Sequence, residues 1–181
     1  MNTRPQDWIA LLRAIGPLTH KKMSMVQFRT GCEEAGLKDV RTVLATGNAL
    51  FSSALPEAVI SHILSDVIRK HDLQNEVFLR QPSDLAQVLA ENPFPEASVE
   101  RPNHMLVFFM SEQPVSTEIA ALENTEKAEQ AKVIGREAYV DYKNGVAGSK
   151  LTSGRLETLL RRSGTARNWN TIRRLVDMAS S

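Results

Sequence analysis

The chain has 181 residues, of which 42% are hydrophobic and 24% charged, a composition typical of a globular protein with an apolar core. This composition excludes a disordered tail and a collagen-like fibre. A disulfide scaffold is excluded because the single cysteine, Cys32, has no partner within the chain. Basic and acidic residues nearly balance, 22 against 21, so net charge alone indicates no partner. With no predicted signal peptide or membrane span, we expect a cytoplasmic location.

The first half of the chain predicts the element order β-α-β-β-α-β, which is that of a ferredoxin-like fold. Ser24 and Gln27 stand at capping-box spacing and start the first helix. Gly47 and Asn48 form a turn pair between two short strands, because glycine accepts the positive φ that such turns need. The predicted elements are a strand at 8–15, a helix at 24–36, strands at 40–45 and 49–53, a helix at 59–68 and a strand at 76–80.

The second half predicts the same order without its last strand. Its elements are a strand at 104–110, a helix from 116, a hairpin at 132–142, a helix at 153–162 and a final helix to about 179. We therefore predict an α+β fold of two ferredoxin-like halves, the second incomplete, with a helical C-terminus. The predicted divisions are a first half at 1–81, a helix and linker at 82–103, with 96–103 as the linker, and a second half at 104–181.

Charge is distributed unevenly along the chain. The segment 150–174 holds seven basic residues and one acidic residue, whereas 91–129 holds eight acidic residues and two basic ones. A basic patch attracts anionic ligands within about a Debye length, ~8–10 Å in physiological salt. Two interpretations stay open: a solvated helix face that pairs with the acidic middle of the chain, or an anion-binding site.

No motif specifies a reaction. The chain lacks a nucleophile elbow, a P-loop and a dinucleotide fingerprint. Its four histidines, His20, His62, His71 and His104, stand at no zinc-ligand spacing. Cys32 falls on the apolar side of the first helix, where a thiol is poorly ionised. We therefore predict no metal and no cofactor.

The strongest candidate for a site lies at the start of the last helix. Thr165 or Asn168 is placed to cap this helix, and the free N–H groups of a helix start favour an anion. Arg167 adds a bidentate fork for phosphate or carboxylate, and Lys150 adds a point charge. If the two halves meet at these ends, one polar cleft is expected to be lined by Arg13, Arg41, Asn48, Lys150, Arg167 and Asn170.

The alternative to a ligand site is structural. Arg167, Asn168 and Asn170 then cap helices and hold the two halves together, because buried polar groups usually satisfy backbone groups. Trp169 is predicted to be a core anchor rather than a platform for stacking bases.

Six groups of residues along the chain match known motifs. They are Leu11-Leu12-Arg13 with Ile15-Gly16; Lys22-Met23 with Met25, Phe28 and Gly36; Arg41-Thr42 with Thr46-Gly47-Asn48 and Phe51; Asn92-Pro93-Phe94-Pro95; Gly148-Ser149-Lys150-Leu151; and Thr165-Ala166-Arg167-Asn168-Trp169-Asn170-Thr171. Together they resemble the bacterial family called domain of unknown function 1697 (DUF1697). The chain departs from the family pattern after its first strand. Relatives usually have a glycine-rich loop that contains Asn and Lys there, whereas this chain has Ala14 and residues 16–20. The resemblance implies ferredoxin-like halves and no reaction, since the family has no settled activity.

Three functional hypotheses follow. The first is binding of a small anionic, phosphate-bearing ligand in the cleft between the halves. The second is an enzyme acting on a phosphorylated or nucleotide-like substrate, with Arg13, Lys150 and Arg167 stabilising developing negative charge. The third, less favoured, is weak nucleic-acid binding through the basic C-terminal helices, because the first half offers few outward aromatic residues for stacking bases. No membrane partner is predicted, and ligand identity and oligomeric state stay open.

Overall fold

A computed structural model of the chain describes residues 4–124 and 129–181. The first half follows the predicted order of elements with one additional short helix, at Pro17–His20, and two further short helices follow it in the chain. In chain order they are β1 (Gln6–Leu12), α1 (Pro17–His20), α2 (Met25–Glu34), β2 (Lys38–Val43), β3 (Asn48–Ser53), α3 (Glu57–Arg69), β4 (Val77–Arg80), α4 (Pro82–Ala90), α5 (Pro95–Glu100), β5 (Met105–Met110), α6 (Ser116–Glu123), β6 (Gln130–Ile134), β7 (Glu137–Asp141), α7 (Ser153–Leu160), β8 (Gly164–Asn168) and α8 (Trp169–Ala179).

The strands form two four-stranded antiparallel sheets of identical topology. Their orders are β2-β3-β1-β4 and β6-β7-β5-β8, so the first and last strands of each half are hydrogen-bonded neighbours. This is the order expected of a βαββαβ unit. The predicted α+β class, with two ferredoxin-like halves and a helical C-terminus, is confirmed.

The prediction that the second half lacks its last strand is wrong. Residues of the expected helix-start motif form β8, in which Ala166 is paired with Phe108 of β5. A Cβ on Gly164 would lie 2.5 Å from the Phe108 ring and 2.7 Å from the Phe109 carbonyl oxygen. Glycine therefore permits a polar, weakly strand-like segment to approach β5, and pairing decides its structure against local propensity.

Residues 96–103 are not wholly a linker either, because Pro95–Glu100 is helix α5. Proline at the first helical position has no N–H that the helix would need, and its φ is already helical. The predicted hairpin turn at 135–136 is confirmed between β6 and β7.

The chain divides into two compact units. Unit 1 comprises Met1–Leu85 together with Leu175–Ser181, and unit 2 comprises Ala86–Arg174. The predicted domain bounds at 81 and 104 stay a prediction. The two units are defined by how densely their residues pack, which does not show where an independently folding segment ends. Among residues 4–124 and 129–181, no helix is long and apolar enough to span a membrane.

The core of unit 1 lies between one face of its sheet and helices α2 and α3. Alternate residues of the strands point to this face, and the helices present an apolar stripe to it. The capping box at the start of α2 is confirmed: Ser24 Oγ accepts from Gln27 N at 3.2 Å, and Gln27 Oε1 accepts from Ser24 N at 2.8 Å. Fully buried members of this core include Ala10, Leu12, Phe28, Cys32, Ala49, Ile60 and Leu64.

Unit 2 repeats this arrangement with α6 and α7 against its sheet. Phe108 and Met110 of β5 and Val140 of β7 contribute to a cluster with Leu122 of α6 and Leu160 of α7. All five are at most 2% exposed. Each unit thus has an apolar core of its own, as expected of a sheet with two helices on one face.

The turn at Gly47 provides a test of the fold. Gly47 has φ of +81°, and an added Cβ would lie 2.5 Å from Ile15 Cγ1 and 3.0 Å from Leu12 Cβ. We expect Gly47→Ala to lower the free energy of unfolding by about 2–5 kcal/mol, because left-handed strain and overpacking add. Urea denaturation measures this. The control is Gly154→Ala, with no heavy atom near the new Cβ, and an equal loss in both variants would contradict the assignment.

The buried thiol provides a second test. Cys32 has no exposed surface, and burial, with the charge of Glu33 adding to it, raises its pKa to about 12. We expect Cys32 to react with a chromogenic disulfide about a hundredfold more slowly than an exposed thiol, or slower still, because the thiolate is the reactive form. Ser65→Cys places an exposed thiol on α3 as the control. Rapid labelling of Cys32 in the folded protein would disprove the core interpretation.

Candidate functional site

The six predicted site residues are divided equally between the units. Unit 1 holds Arg13, Arg41 and Asn48, and unit 2 holds Lys150, Arg167 and Asn170. Within each unit their surroundings differ sharply, and the shared cleft stays a prediction.

Asn48 lies at the start of β3 and has no exposed surface. Its Nδ2 donates to the Val43 carbonyl oxygen at 3.0 Å and to Thr46 Oγ1 at 3.1 Å. These bonds close the turn between β2 and β3, since Asn side chains commonly satisfy nearby backbone groups in turns. The amide therefore supports the hairpin.

Arg13 follows β1 and forms an ion pair with Glu76, with Nη1 2.5 Å from Oε2. Its backbone N donates to the Glu76 carbonyl oxygen at 2.9 Å, so the two segments are held together twice. Both side chains are partly exposed, and such pairs contribute little net stability. Arg13 and Glu76 border a cavity of about 250 Å³. An anion in this cavity would have to compete with the Glu76 carboxylate for Arg13.

Arg41 is exposed on β2, opposite Leu50 of β3. It borders a cavity of about 20 Å³ that is also lined by Asp7 and Asp39. That volume accommodates about one water molecule, and the two acidic neighbours disfavour an anion.

Arg167 is buried in β8, with 8% of its surface exposed. Its Nη1 donates to Thr165 Oγ1 and to the Ala166 carbonyl oxygen, both at 2.8 Å. Burial lowers its pKa to about 10, because desolvation disfavours the charged form. Asn168 Oδ1 accepts from Thr171 N at 2.9 Å, which confirms the predicted cap of α8.

The remaining residues of that motif fit the structural alternative. Asn170 is exposed, and its Nδ2 donates to Asn103 Oδ1 at 3.0 Å. Trp169 is 5% exposed, as expected of a core anchor. Its backbone N donates to the Pro102 carbonyl oxygen at 3.2 Å.

The two sheets carry a buried arginine at the same position. Arg80 and Arg167 are each the fourth residue of their strand, opposite Ile9 and Val107 of the respective first strand. Each donates through Nη1 to the carbonyl oxygen of the preceding residue, at 2.9 and 2.8 Å. The halves therefore form a repeat in register. Because no sequence motif singles out Arg80, this repetition favours an architectural role for Arg167.

Lys150 has the most open environment of the six. It is exposed and borders a cavity of about 350 Å³ formed by residues 144–150, named here the Gly148 loop, together with Glu129. Among residues 4–124 and 129–181, Lys150 has no ion-pair or side-chain hydrogen-bond partner. The cavity falls within the 300–1,000 Å³ range of ligand pockets.

The Gly148 loop is shaped by two glycines and anchored at both ends. Gly145 and Gly148 have φ of +91° and +86°, which glycine adopts at no steric cost. Tyr142 Oη donates to the Leu151 carbonyl oxygen at 2.7 Å, and Gly145 N donates to the Tyr142 carbonyl oxygen at 2.9 Å. These bonds fix the start and the end of the loop relative to β7.

Glu129 supplies the acidic side of the cavity. Ser149 Oγ donates to Glu129 Oε1 at 2.5 Å, and Leu151 N donates to Ser149 Oγ at 3.0 Å. Sequence analysis identified Lys150 but missed Glu129 and Tyr142. In the sequence, Glu129 and Tyr142 are distinguished only by their positions, directly before β6 and directly after β7. Those positions become informative only when β6 and β7 are known to pair.

The remaining basic residues of 150–174 are mostly solvated. Arg162 lies 3.7 Å from carboxylate oxygens of both Glu112 and Glu118, so part of the basic segment does pair with the acidic middle of the chain. Arg155, Arg161, Arg173 and Arg174 are exposed. Within the described ranges, no three His, Cys, Asp or Glu side chains are grouped to hold a metal ion.

Comparison with known proteins places the chain in a family. The profile described as "Protein of unknown function (DUF1697)" matches residues 6–139. The chain belongs to the DUF1697 family. This DUF1697 protein also resembles a solved structure, conserved bacterial protein SP0830 from Streptococcus pneumoniae, with 19% sequence identity and a TM-score of 0.76 over 98% of this chain and 100% of that one. That likeness establishes the fold alone, and no curated protein matches the chain.

The tyrosine that anchors the Gly148 loop provides a test of its burial. Burial, with the charge of Glu129 adding to it, raises the pKa of Tyr142 from 10.0 to about 12, and burial also raises the pKa of Tyr139. The contribution of the neutral Tyr142 hydroxyl to the free energy of unfolding is fully present below about pH 10, and it is lost as the pH rises through about 12. We expect ultraviolet absorbance to show little tyrosinate until the protein unfolds, and ionisation near pH 10 with native circular dichroism would contradict this.

Proposed function

We propose that this DUF1697 protein binds a small metabolite carrying a phosphate group and hydroxyl groups, held by the Gly148 loop. The observation that carries the proposal is the uncommitted ammonium group of Lys150 at a cavity of about 350 Å³. A lysine acts on phosphate as a point charge, and a charge that pairs with no protein carboxylate keeps its full interaction for a ligand.

The backbone of the loop supports the same chemistry. Among the described residues, the N–H groups of Ala147, Gly148 and Lys150 donate to no protein acceptor. A turn through the left-handed region, as at Gly148, can bring neighbouring N–H groups to one side, as in an anion-binding nest, although Ser149 N, between them, donates to the Val146 carbonyl oxygen at 3.2 Å. In the proposed complex these groups and Lys150 hold the phosphate oxygens.

Glu129 sets the second requirement on the ligand. Its carboxylate accepts from Ser149 at 2.5 Å and repels a second anionic group. A hydroxyl on the ligand donates to it instead, so sugar phosphates and nucleoside monophosphates fit better than polyanions. A cytoplasmic location, where such metabolites are found, is part of the proposal and is supported by the buried thiol of Cys32.

Titration calorimetry at constant ionic strength tests the proposal with ribose phosphate, adenosine monophosphate and inorganic phosphate. We expect Lys150→Gln to weaken binding about tenfold or more, because a charge-assisted hydrogen bond contributes roughly 1.5–3 kcal/mol. Lys143→Gln is the matched control, since Lys143 is exposed in the same connection but does not border the cavity. Equal loss in both variants, or no binding, would reject the proposal.

A salt series separates this proposal from the two other hypotheses. Binding to a single small phosphate loses little affinity between low and moderate salt, whereas nucleic acid held by several arginines loses it steeply. Turnover of a bound phosphorylated compound would indicate the enzyme hypothesis. Both alternatives stay predictions.

A further inference from the structure

The chain contains one Asn-Gly pair, Asn144-Gly145, and this pair lies in the Gly148 loop. Asn144 is exposed and borders the cavity of about 350 Å³. Among residues 4–124 and 129–181, its side chain has no hydrogen-bond or ion-pair partner. The side-chain amide is therefore free to rotate towards the main-chain nitrogen that follows it.

An Asn-Gly pair supports a covalent reaction that needs only water. Gly145 N loses its proton and attacks Asn144 Cγ, so that a new C–N bond forms, the Cγ–Nδ2 bond breaks and ammonia leaves. Water then opens the resulting succinimide ring at either of its two carbonyl groups, which gives aspartate or isoaspartate and adds one negative charge. The residue after asparagine strongly affects the rate, because its Cβ crowds the attacking nitrogen, and glycine has no Cβ.

One hydrogen bond opposes this reaction in the folded chain. Gly145 N donates to the Tyr142 carbonyl oxygen at 2.9 Å, which closes a turn over the exposed residues Lys143 and Asn144. A protein hydrogen bond contributes modestly in net terms, so opening this one slows the attack only about twofold to tenfold relative to an unfolded chain. The space around Gly145 is otherwise open, since an added Cβ would approach only the edge of the His104 ring, at 3.7 Å.

We propose that Asn144 is a site of spontaneous deamidation, and that the carboxylate it produces weakens phosphate binding at the Gly148 loop; this second part rests on the proposed function. A carboxylate at position 144 borders the same cavity as Lys150 and Glu129. It therefore competes with phosphate for the Lys150 ammonium group and repels the phosphate itself. Isoaspartate also adds a methylene group to the main chain of the loop. The affinity of the site then declines with the age of the molecule.

Peptide mapping by mass spectrometry, on folded protein aged at mildly alkaline pH, tests the modification whether or not phosphate binds. We expect Asn144 to exchange NH₂ for OH about tenfold faster than Asn170, and Asn144→Gln to remove the change. Asn170 is an internal control: it is exposed, and Thr171 N is also hydrogen-bonded at 2.9 Å, but Thr171 has a β-branched side chain. Equal rates at the two asparagines, or a rate at Asn144 below about a hundredth of that in guanidinium-unfolded protein, would overturn the proposal.

Calorimetry with adenosine monophosphate tests the consequence for binding. Asn144→Asp reproduces one product and should bind about threefold to tenfold more weakly, whereas Asn144→Gln should keep its affinity. Asn103→Asp is the matched control, because Asn103 is exposed, does not border the cavity, and keeps an Oδ1 that accepts from Asn170. Equal affinities of the two aspartate variants would overturn the consequence. Absence of binding to the unmodified protein would reject the phosphate site and the consequence together, while the mapping alone decides the deamidation.

Discussion

Both faces of β1 are buried, and the positions of the strands on either side of it in unit 1 depend on this. Ile9, Ala10, Leu11 and Leu12 have no exposed surface, and the strand is hydrogen-bonded to β3 on one side and β4 on the other. A strand buried on both faces has a strongly specified register, because a slip by one residue would exchange the two sets of side chains. The ends of β3 and β4, and with them Asn48 and Glu76, are fixed by that register.

The features that sequence predicts correctly are those decided by neighbours along the chain. The capping box of α2, the glycine of the turn at Gly47 and the cap by Asn168 each require residue types within a few positions of one another. The predicted turn pair is right only for Gly47, because Asn48 is already the first residue of β3. Helix α3 is equally predictable from the sequence, because its apolar stripe alone indicates a buried face. The fold class followed from the order of such elements.

The features that sequence missed depend on distant partners. Strand β8 is polar and glycine-led, and it is a strand because β5 is beside it. Asn48 has the side chain of a ligand-binding residue but uses its amide on the turn next to it. Glu129 carries no local signal of a site, and it borders a cavity only because residues 144–150 lie beside it in the folded chain.

The grouping of the last seven residues, Leu175–Ser181, with unit 1 has a consequence for synthesis. A growing chain emerges from the ribosome with its N-terminal end first, and its domains usually fold in that order. Here the leading unit lacks one of its own segments until the end of α8 has been translated and released. Unit 1 therefore cannot complete its native packing before the whole of unit 2, up to Arg174, has been synthesised.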